Sequence, residues 1–277
     1  MVTESDERAR AATSMLVGSP RHALRRAIMM HPALYLPLAR WKRAESALDG
    51  ETAFVLDGLE RSANTFAVLA FQLAQNDHVR TAHHMHAAAP LIEAARRGMP
   101  TLITVREPEG TIVSSMMRQP RVTPRQWLKT YAAFYERLLP HRDRFVVATF
   151  DEVTTDFGGV VARVNDRFGT RFRRFDHSDR QVRAVFALID ERAAGPPWQP
   201  SLNRFASGFI SADEYFLATR ELRRSDGAGV HHALEHRVGR PSSQRESAKP
   251  TMRARYRAPA LAGLRARAGS AYGDFVA

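Results

Sequence analysis

Two arginines, each placed just beyond a short apolar run, are the residues best suited to chemistry in this chain. Phe54–Leu56 leads into Asp57-Gly58 and then into a polar loop carrying Arg61, Ser62, Ala63, Asn64 and Thr65. Thr101–Val105, TLITV, runs straight into Arg106-Glu107-Pro108, and Ser114 follows Arg106 by eight residues. Guanidinium groups fork onto phosphate-type oxygens. A loop that ends a strand and opens a helix aims backbone N–H groups at one point, which suits an anion. Ser114 lies two helical turns beyond Arg106, on a helix face that can turn to the same group. Between the two stretches stands His83-His84-Met85-His86. Histidine titrates near neutrality and is the commonest general base. In extended backbone His84 and His86 share a face and His83 points away. Three histidines in four residues could also ligate Zn²⁺, but no carboxylate stands at a standard spacing, so no metal is expected. The plainer alternatives are a surface ion pair for Arg106, a filler role for Ser114 and polar loop histidines.

The elements that must position these residues follow from periodicity. Phe54–Leu56 reads as a buried strand, and a helix begins at Thr65 with Phe66, Val68, Leu69 and Leu73 on a broad apolar face. His78–Ala82 is expected as a short second strand, Ala87–Gly98 as a helix closed by its glycine, and Thr101–Val105 as a β-branched strand. Pro108 suits the first position of a helix to Met117. Thr123–Gln126 is a capping box for a helix to about Leu139, and Arg144–Phe150 is a further strand. Asp156 caps a helix ending near Phe168-Gly169, and Ser178–Gln181 is a second capping box for a helix to about Arg192. Alternating strand and helix over residues 53–168 predicts a parallel sheet with helices on both faces. Ligands bind such sheets outside the carboxyl ends of the strands, where both arginine loops and the histidines fall.

The flanks are less regular. Pro20–Trp41 is helical in parts, broken by prolines, and is expected to pack on the core. Ala193–Phe209 reads as loop, Ser211–Glu214 caps a helix to about Arg224, Ser225–Arg245 is polar with His231, His232 and His236, and Pro250–Phe275 reads as a final helix bent at Pro259. One α/β domain over residues 1–277 is expected: a helical extension over 1–45, the core over 46–192, and a loop-rich, helical part over 193–277.

The eight residues from Gly58, GLERSANT, lack the second glycine and the lysine of the GxxxxGK[ST] phosphate loop. Nor is there a companion Mg²⁺-binding aspartate at the end of an apolar strand: Asp151 follows Arg144–Phe150, but its setting suggests something else. The loop instead resembles that of the sulfotransferases that use 3′-phosphoadenosine 5′-phosphosulfate (PAPS), P-[KR]-S-G-T-[TS], between first strand and first helix. Arg61 falls on the basic position, Ser62 on the serine, Ala63 on the glycine, and Asn64 and Thr65 on the hydroxyl pair, with Glu60 in place of proline. Arg106, Pro108 and Ser114 fit that family's 3′-phosphate motif, R-[ND]-P-x-x-x-x-x-S. Val146–Gly169 is similar to its later strand, turn and helix, with Asp151-Glu152-Val153 at the turn. The resemblance covers most of residues 53–169. It implies a P-loop-like three-layer α/β/α fold with a central parallel sheet. It also implies transfer of a sulfuryl group from PAPS to a hydroxyl or amine, with the family's base histidine falling on His84 or on His86 close behind. Arg61 would steady the leaving group, and Arg240 or Arg245 would close over the 3′-phosphate. A non-catalytic nucleotide-binding protein or a P-loop kinase variant is the alternative.

Composition narrows the partners. The chain has no cysteine, which excludes disulfides and thiolate chemistry. It carries a net charge of +12, and of its 41 basic residues only Lys42, Lys129 and Lys249 are lysines. Such charge attracts anions, but the arginines are spread along the chain and match no nucleic-acid-binding motif, so nucleic acid is not an expected partner. The acidic, polar start is unlike a secretory signal. Ala27–Ala39 is too short and proline-broken to span a bilayer. The expected setting is cytoplasmic, and the expected partner is a small-molecule, glycan or lipid acceptor.

Overall fold

Four parallel strands form the sheet at the centre of the computed structural model, which describes residues 20, 22–42, 45–195, 197–225 and 243–277. β1 is Phe54–Gly58, β2 Thr81–His83, β3 Thr101–Val105 and β4 Val146–Thr149, in the order β2-β1-β3-β4. Gly58 pairs with Thr104, and Val105 with Thr149, so the arginine loops leave the sheet side by side. The order reverses direction between β1 and β3. That point is where an open parallel sheet leaves a crevice for ligands.

Alternation along the strands divides the core in two. Phe54 and Leu56 of β1, Leu102 of β3, and Val146 and Ala148 of β4 face one side. Val55, Ile103, Val105 and Val147 face the other. The first side is covered by α2 (Asn64–Ala74), α6 (Phe150–Thr155), α7 (Phe157–Phe168), α8 (Asp179–Ala194), α9 (Gln199–Ala206) and α10 (Ala212–Ala218). The second is covered by α1 (Pro32–Lys42), α3 (Ala88–Arg96), α4 (Pro108–Arg118), α5 (Pro124–Leu138) and the C-terminal α13 (Ala262–Val276). The result is the expected α/β architecture, helices on both faces of a parallel sheet. A short helix α11 (Arg220–Ser225) and α12 (Ser243–Arg257) complete the described chain.

Local rules explain most boundaries. Thr123 and Gln126 form the reciprocal capping box of α5, and Ser211 and Glu214 that of α10. Asp156 accepts from Gly159 N–H at the start of α7, which ends on Gly169 at φ 66°. Several expectations need correction. Residues 199–206, expected as loop, form α9, because Leu202, Phe205 and Ala206 at helical spacing find the apolar surface of α2 and α8. Ser178 makes no side-chain cap, since its hydroxyl bonds Asp176 instead. The helix after Ser211 stops at Ala218 and restarts at Arg220. The last helix is two helices, with Pro259 opening the 3₁₀ turn between them. The second strand begins at Thr81, later than expected. Residues 226–242, with His231, His232, His236 and Arg240, lie outside the described residues.

A candidate anion site at the sheet switch point

The first loop is built on a close approach of backbones. A Cβ on Gly58 would stand 2.1 Å from the Thr104 carbonyl oxygen, so only glycine lets β1 leave the sheet here. The chain then turns through Arg61 at φ 74° and Ala63 at φ 69°, with Ser62 between them. Left-handed residues alternating with right-handed ones gather backbone N–H groups into an anion-binding concavity. Ala63 is also the N-cap of α2 and gives no side-chain cap, so the first N–H groups of that helix are left for another acceptor.

Two of the expected ligand-binding side chains turn the other way. Ser62 is fully buried; its hydroxyl donates to the Leu59 carbonyl at 2.6 Å and meets Thr104 Oγ1 at 3.0 Å. Asn64 Nδ2 donates to the Gly58 and Leu59 carbonyls at 3.2 and 3.0 Å, and its Oδ1 accepts from Thr104 Oγ1 at 2.7 Å. Both side chains therefore hold the loop's shape. The positive φ at Arg61 and Ala63 directs the residues between and after them inward, toward β3. Thr65 keeps its hydroxyl on the outer side, where it meets His84 Nε2 at 3.0 Å.

The second loop meets the first. Arg61 Nε donates to Ser114 Oγ at 2.8 Å, and Arg106 Nη1 approaches the Arg61 carbonyl at 3.5 Å. The Arg106 guanidinium lies 4.1 Å over the Phe150 ring, and its buried Nε has no hydrogen-bond acceptor. Glu107 Oε2 is 3.7 Å from that nitrogen, beyond hydrogen-bonding range. Tyr131 anchors the backbone by donating to the Arg106 carbonyl at 2.6 Å. A Cβ on Gly110 would crowd the Glu107 carboxylate first and then Arg106 Nε, at 2.8 Å. Arg61 and Ser114, expected at opposite ends of one ligand, are thus bonded to each other, and a ligand must replace that bond to use both.

The histidines form the third wall. The backbone there is not extended, as alternation required: His84 has φ 53° and His86 φ 50°. His83, expected to point away, is instead bonded to His84, Nδ1 to Nδ1 at 2.7 Å, and reaches Ser207 Oγ with Nε2 at 3.1 Å. His84 therefore has both ring nitrogens engaged. His86 differs. Its Nδ1 donates to the Gly58 carbonyl at 2.9 Å and lies 3.3 Å from Asp57 Oδ1. A carbonyl can only accept, so the proton sits on Nδ1 and Nε2 is the basic nitrogen of the neutral ring.

Asp57 organises this wall. It is fully buried at the end of β1; its Oδ2 accepts from the Met85 and His86 N–H groups at 2.8 and 3.0 Å, and its Oδ1 from Gly58 N–H at 2.8 Å. Burial pulls the His86 pKa down, but the Asp57 hydrogen bond and charge, the Gly58 carbonyl and the Glu60 charge outweigh it and hold the imidazole above its ordinary value. The sequence signal for Asp57 was present, an acidic residue closing an apolar run, yet its role needed the return of residues 85 and 86 to β1. Phe150 and Gly110 were likewise missed, and nothing local marks them.

Among the described residues, Arg61, Ala63, His84 and His86 are the non-glycine positions with positive φ, and all four lie in these facing loops. Strain of this kind persists where the surroundings over-determine it and clusters at functional sites. No cluster of metal-ligating side chains occurs among the described residues. Arg240 lies outside them, and Arg245 is placed only by its backbone in α12. Comparison of the chain with family models, with curated proteins and with solved structures finds no match.

Proposed function

We propose that this site binds a nucleotide with two anionic groups and transfers a sulfuryl group from PAPS to an acceptor hydroxyl or amine, in a P-loop-like fold. One observation carries the reading. Two loops some 45 residues apart in sequence, as the Arg61–Arg106 contact spans, meet at the switch point of a parallel sheet with a loosely held guanidinium in one and an uncapped helix start in the other. A bisphosphate offers one anion for each. In this reading the 5′-phosphosulfate lies against the backbone N–H groups after Arg61 and the start of α2. The 3′-phosphate takes Arg106 and Ser114.

Transfer forms a bond from the acceptor oxygen to sulfur and breaks the bond from sulfur to the bridging oxygen of the phosphate. Negative charge grows on that bridging oxygen, where Arg61 and the loop N–H groups stabilise it. Arginine holds its proton at all working pH values, so its part is electrostatic. The acceptor proton passes to His86 Nε2, whose ring is set in one tautomer by Gly58 and Asp57. That arrangement favours His86 over His84, whose two ring nitrogens are occupied.

The test is titration calorimetry with 3′-phosphoadenosine 5′-phosphate without metal, beside ATP with Mg²⁺. The bisphosphate binds without metal, and Arg106→Ala weakens it by at least about tenfold, since hydrogen bonds to a charged group contribute ~1.5–3 kcal/mol. Tight ATP–Mg²⁺ binding with no response to the bisphosphate overturns the proposal and favours a kinase variant instead.

A further inference from the structure

Residues 22–29 form a helix, and this helix and α1 together line a cavity of 460 Å³. The first presents Leu24, Arg25, Ile28 and Met29, and α1 presents Tyr35, Leu38, Ala39 and Lys42. Both sets follow helical spacing, so two largely apolar faces, each with one cation, meet across space that no side chain of the described residues fills. Met85 lines the inner end. Among the described residues, the charged lining side chains are Arg25 and Lys42, both exposed, and no carboxylate lines the cavity. The same two helices expose large apolar side chains: Leu24 is 64% exposed, Leu34 58% and Trp41 79%. Single exposed apolar residues are ordinary, but a group of them beside a cavity of ligand size marks a binding region.

We infer that this cavity binds a single-chain anionic amphiphile, with its hydrocarbon chain between the two helices and its carboxylate-type head held by Arg25 and Lys42. The volume lies within the usual range of ligand pockets, about 300–1,000 Å³, and suits one chain rather than two. The apolar lining gives affinity for the chain, and the two exposed cations give the sign of the head. The site also touches the candidate anion site. The Tyr35 hydroxyl, in the cavity wall, donates to the Met85 carbonyl at 2.9 Å, and Met85 stands between the two histidines of positive φ. An occupant therefore presses on the same segment that Asp57 holds from the other side. This inference does not rest on the nucleotide reading and stands or falls separately from it.

The experiment is calorimetry on the full chain with straight-chain carboxylates of increasing length, each below its aggregation threshold, beside the matching alcohols. Binding is one to one. Affinity rises about fourfold for each methylene that enters the cavity and then levels off when the cavity is full. Ala39→Phe shortens the length at which affinity levels off. Lys42→Glu, on the surface and so without risk to folding, weakens the carboxylates at least fivefold and leaves the alcohols unchanged. Arg106→Ala leaves the whole series unchanged, which separates this site from the anion site. Affinity that climbs with length without limit, or Lys42→Glu and Ala39→Phe variants that both match the parent, overturns the inference. So does binding to vesicles of two-chain anionic phospholipid that the carboxylates do not displace, since that is adsorption by the outer surface.

Discussion

Replacing Asp57 by asparagine tests the central electrostatic argument with almost no change of shape. The carboxylate accepts from three backbone N–H groups, those of Gly58, Met85 and His86, and lies against the His86 ring. An amide keeps one acceptor oxygen. If that oxygen stays on Met85 and His86, the new NH₂ group faces the Gly58 N–H and the His86 Nδ1–H, donor against donors. One buried backbone donor left unsatisfied costs about 1–3 kcal/mol. For a chain of this size that lowers the melting temperature by roughly 2–10 °C. The pH dependence changes as well. The folded protein holds His86 above its ordinary pKa, so the stability it contributes is fully present below about pH 6.5 and is lost as pH rises through the folded value. In Asp57→Asn the chief raising influences are gone, burial dominates, and the His86 pKa falls; the loss of stability on raising the pH through this region shrinks or reverses. Melts from pH 5 to 9, with the His86 ring followed by NMR, report both effects. A variant as stable as its parent, with His86 titrating unchanged, refutes the reasoning.

Two further predictions follow from the loops. Ala63 sits at φ 69°, where a side chain costs ~1–2 kcal/mol, so Ala63→Gly leaves stability equal or slightly higher despite about 0.4–1 kcal/mol of added chain freedom in the unfolded state. Ala67→Gly, buried within α2, loses about 2 kcal/mol by comparison; equal losses in urea unfolding would show that Ala63 is unstrained. His86→Ala keeps bisphosphate binding but lowers sulfuryl transfer to p-nitrophenol by about 10²–10⁴, whereas His84→Ala, which loses a brace on Thr65, has a smaller effect; the reverse order would move the base to His84.

The sheet was legible in the sequence because strands buried on both faces are continuous apolar runs, and TLITV and FVL stand out from their surroundings. The capping boxes at Thr123 and Ser211 were legible because they are local, reciprocal and four residues long. α9 was not, because Gly195, Pro197 and Pro200 mark a break, whereas the helix that starts at Gln199 and holds Pro200 in its first turn depends on a surface supplied by α2 and α8. The site followed the same division. Spacing placed Arg61 and Arg106 at strand ends and Ser114 on the helix that follows Arg106, and the three lie together. It could not foresee the conformation of residues 84–86, since that is imposed by Asp57, which lies 28 residues from Met85.

The same distinction between local motif and imposed geometry bears on Asn64. By alignment it stands where the sulfotransferase loop has a hydroxyl residue. In the folded chain the two N–H groups of Asn64 Nδ2 are shared among the Gly58 and Leu59 carbonyls and the Ser62 hydroxyl, all within 3.2 Å, and its Oδ1 accepts from Thr104 Oγ1. A threonine hydroxyl has one donor and could replace few of these. The side chain ties the turn to β3 and thereby fixes where the N–H groups of residues 61–65 point. An anion bound by backbone N–H groups depends on that direction more than on any one hydroxyl, because preorganised donors need no rearrangement when the ligand arrives. The asparagine therefore holds the loop's backbone in place, and the left-handed Arg61 and Ala63 on either side of Ser62 are the conformational cost of that shape.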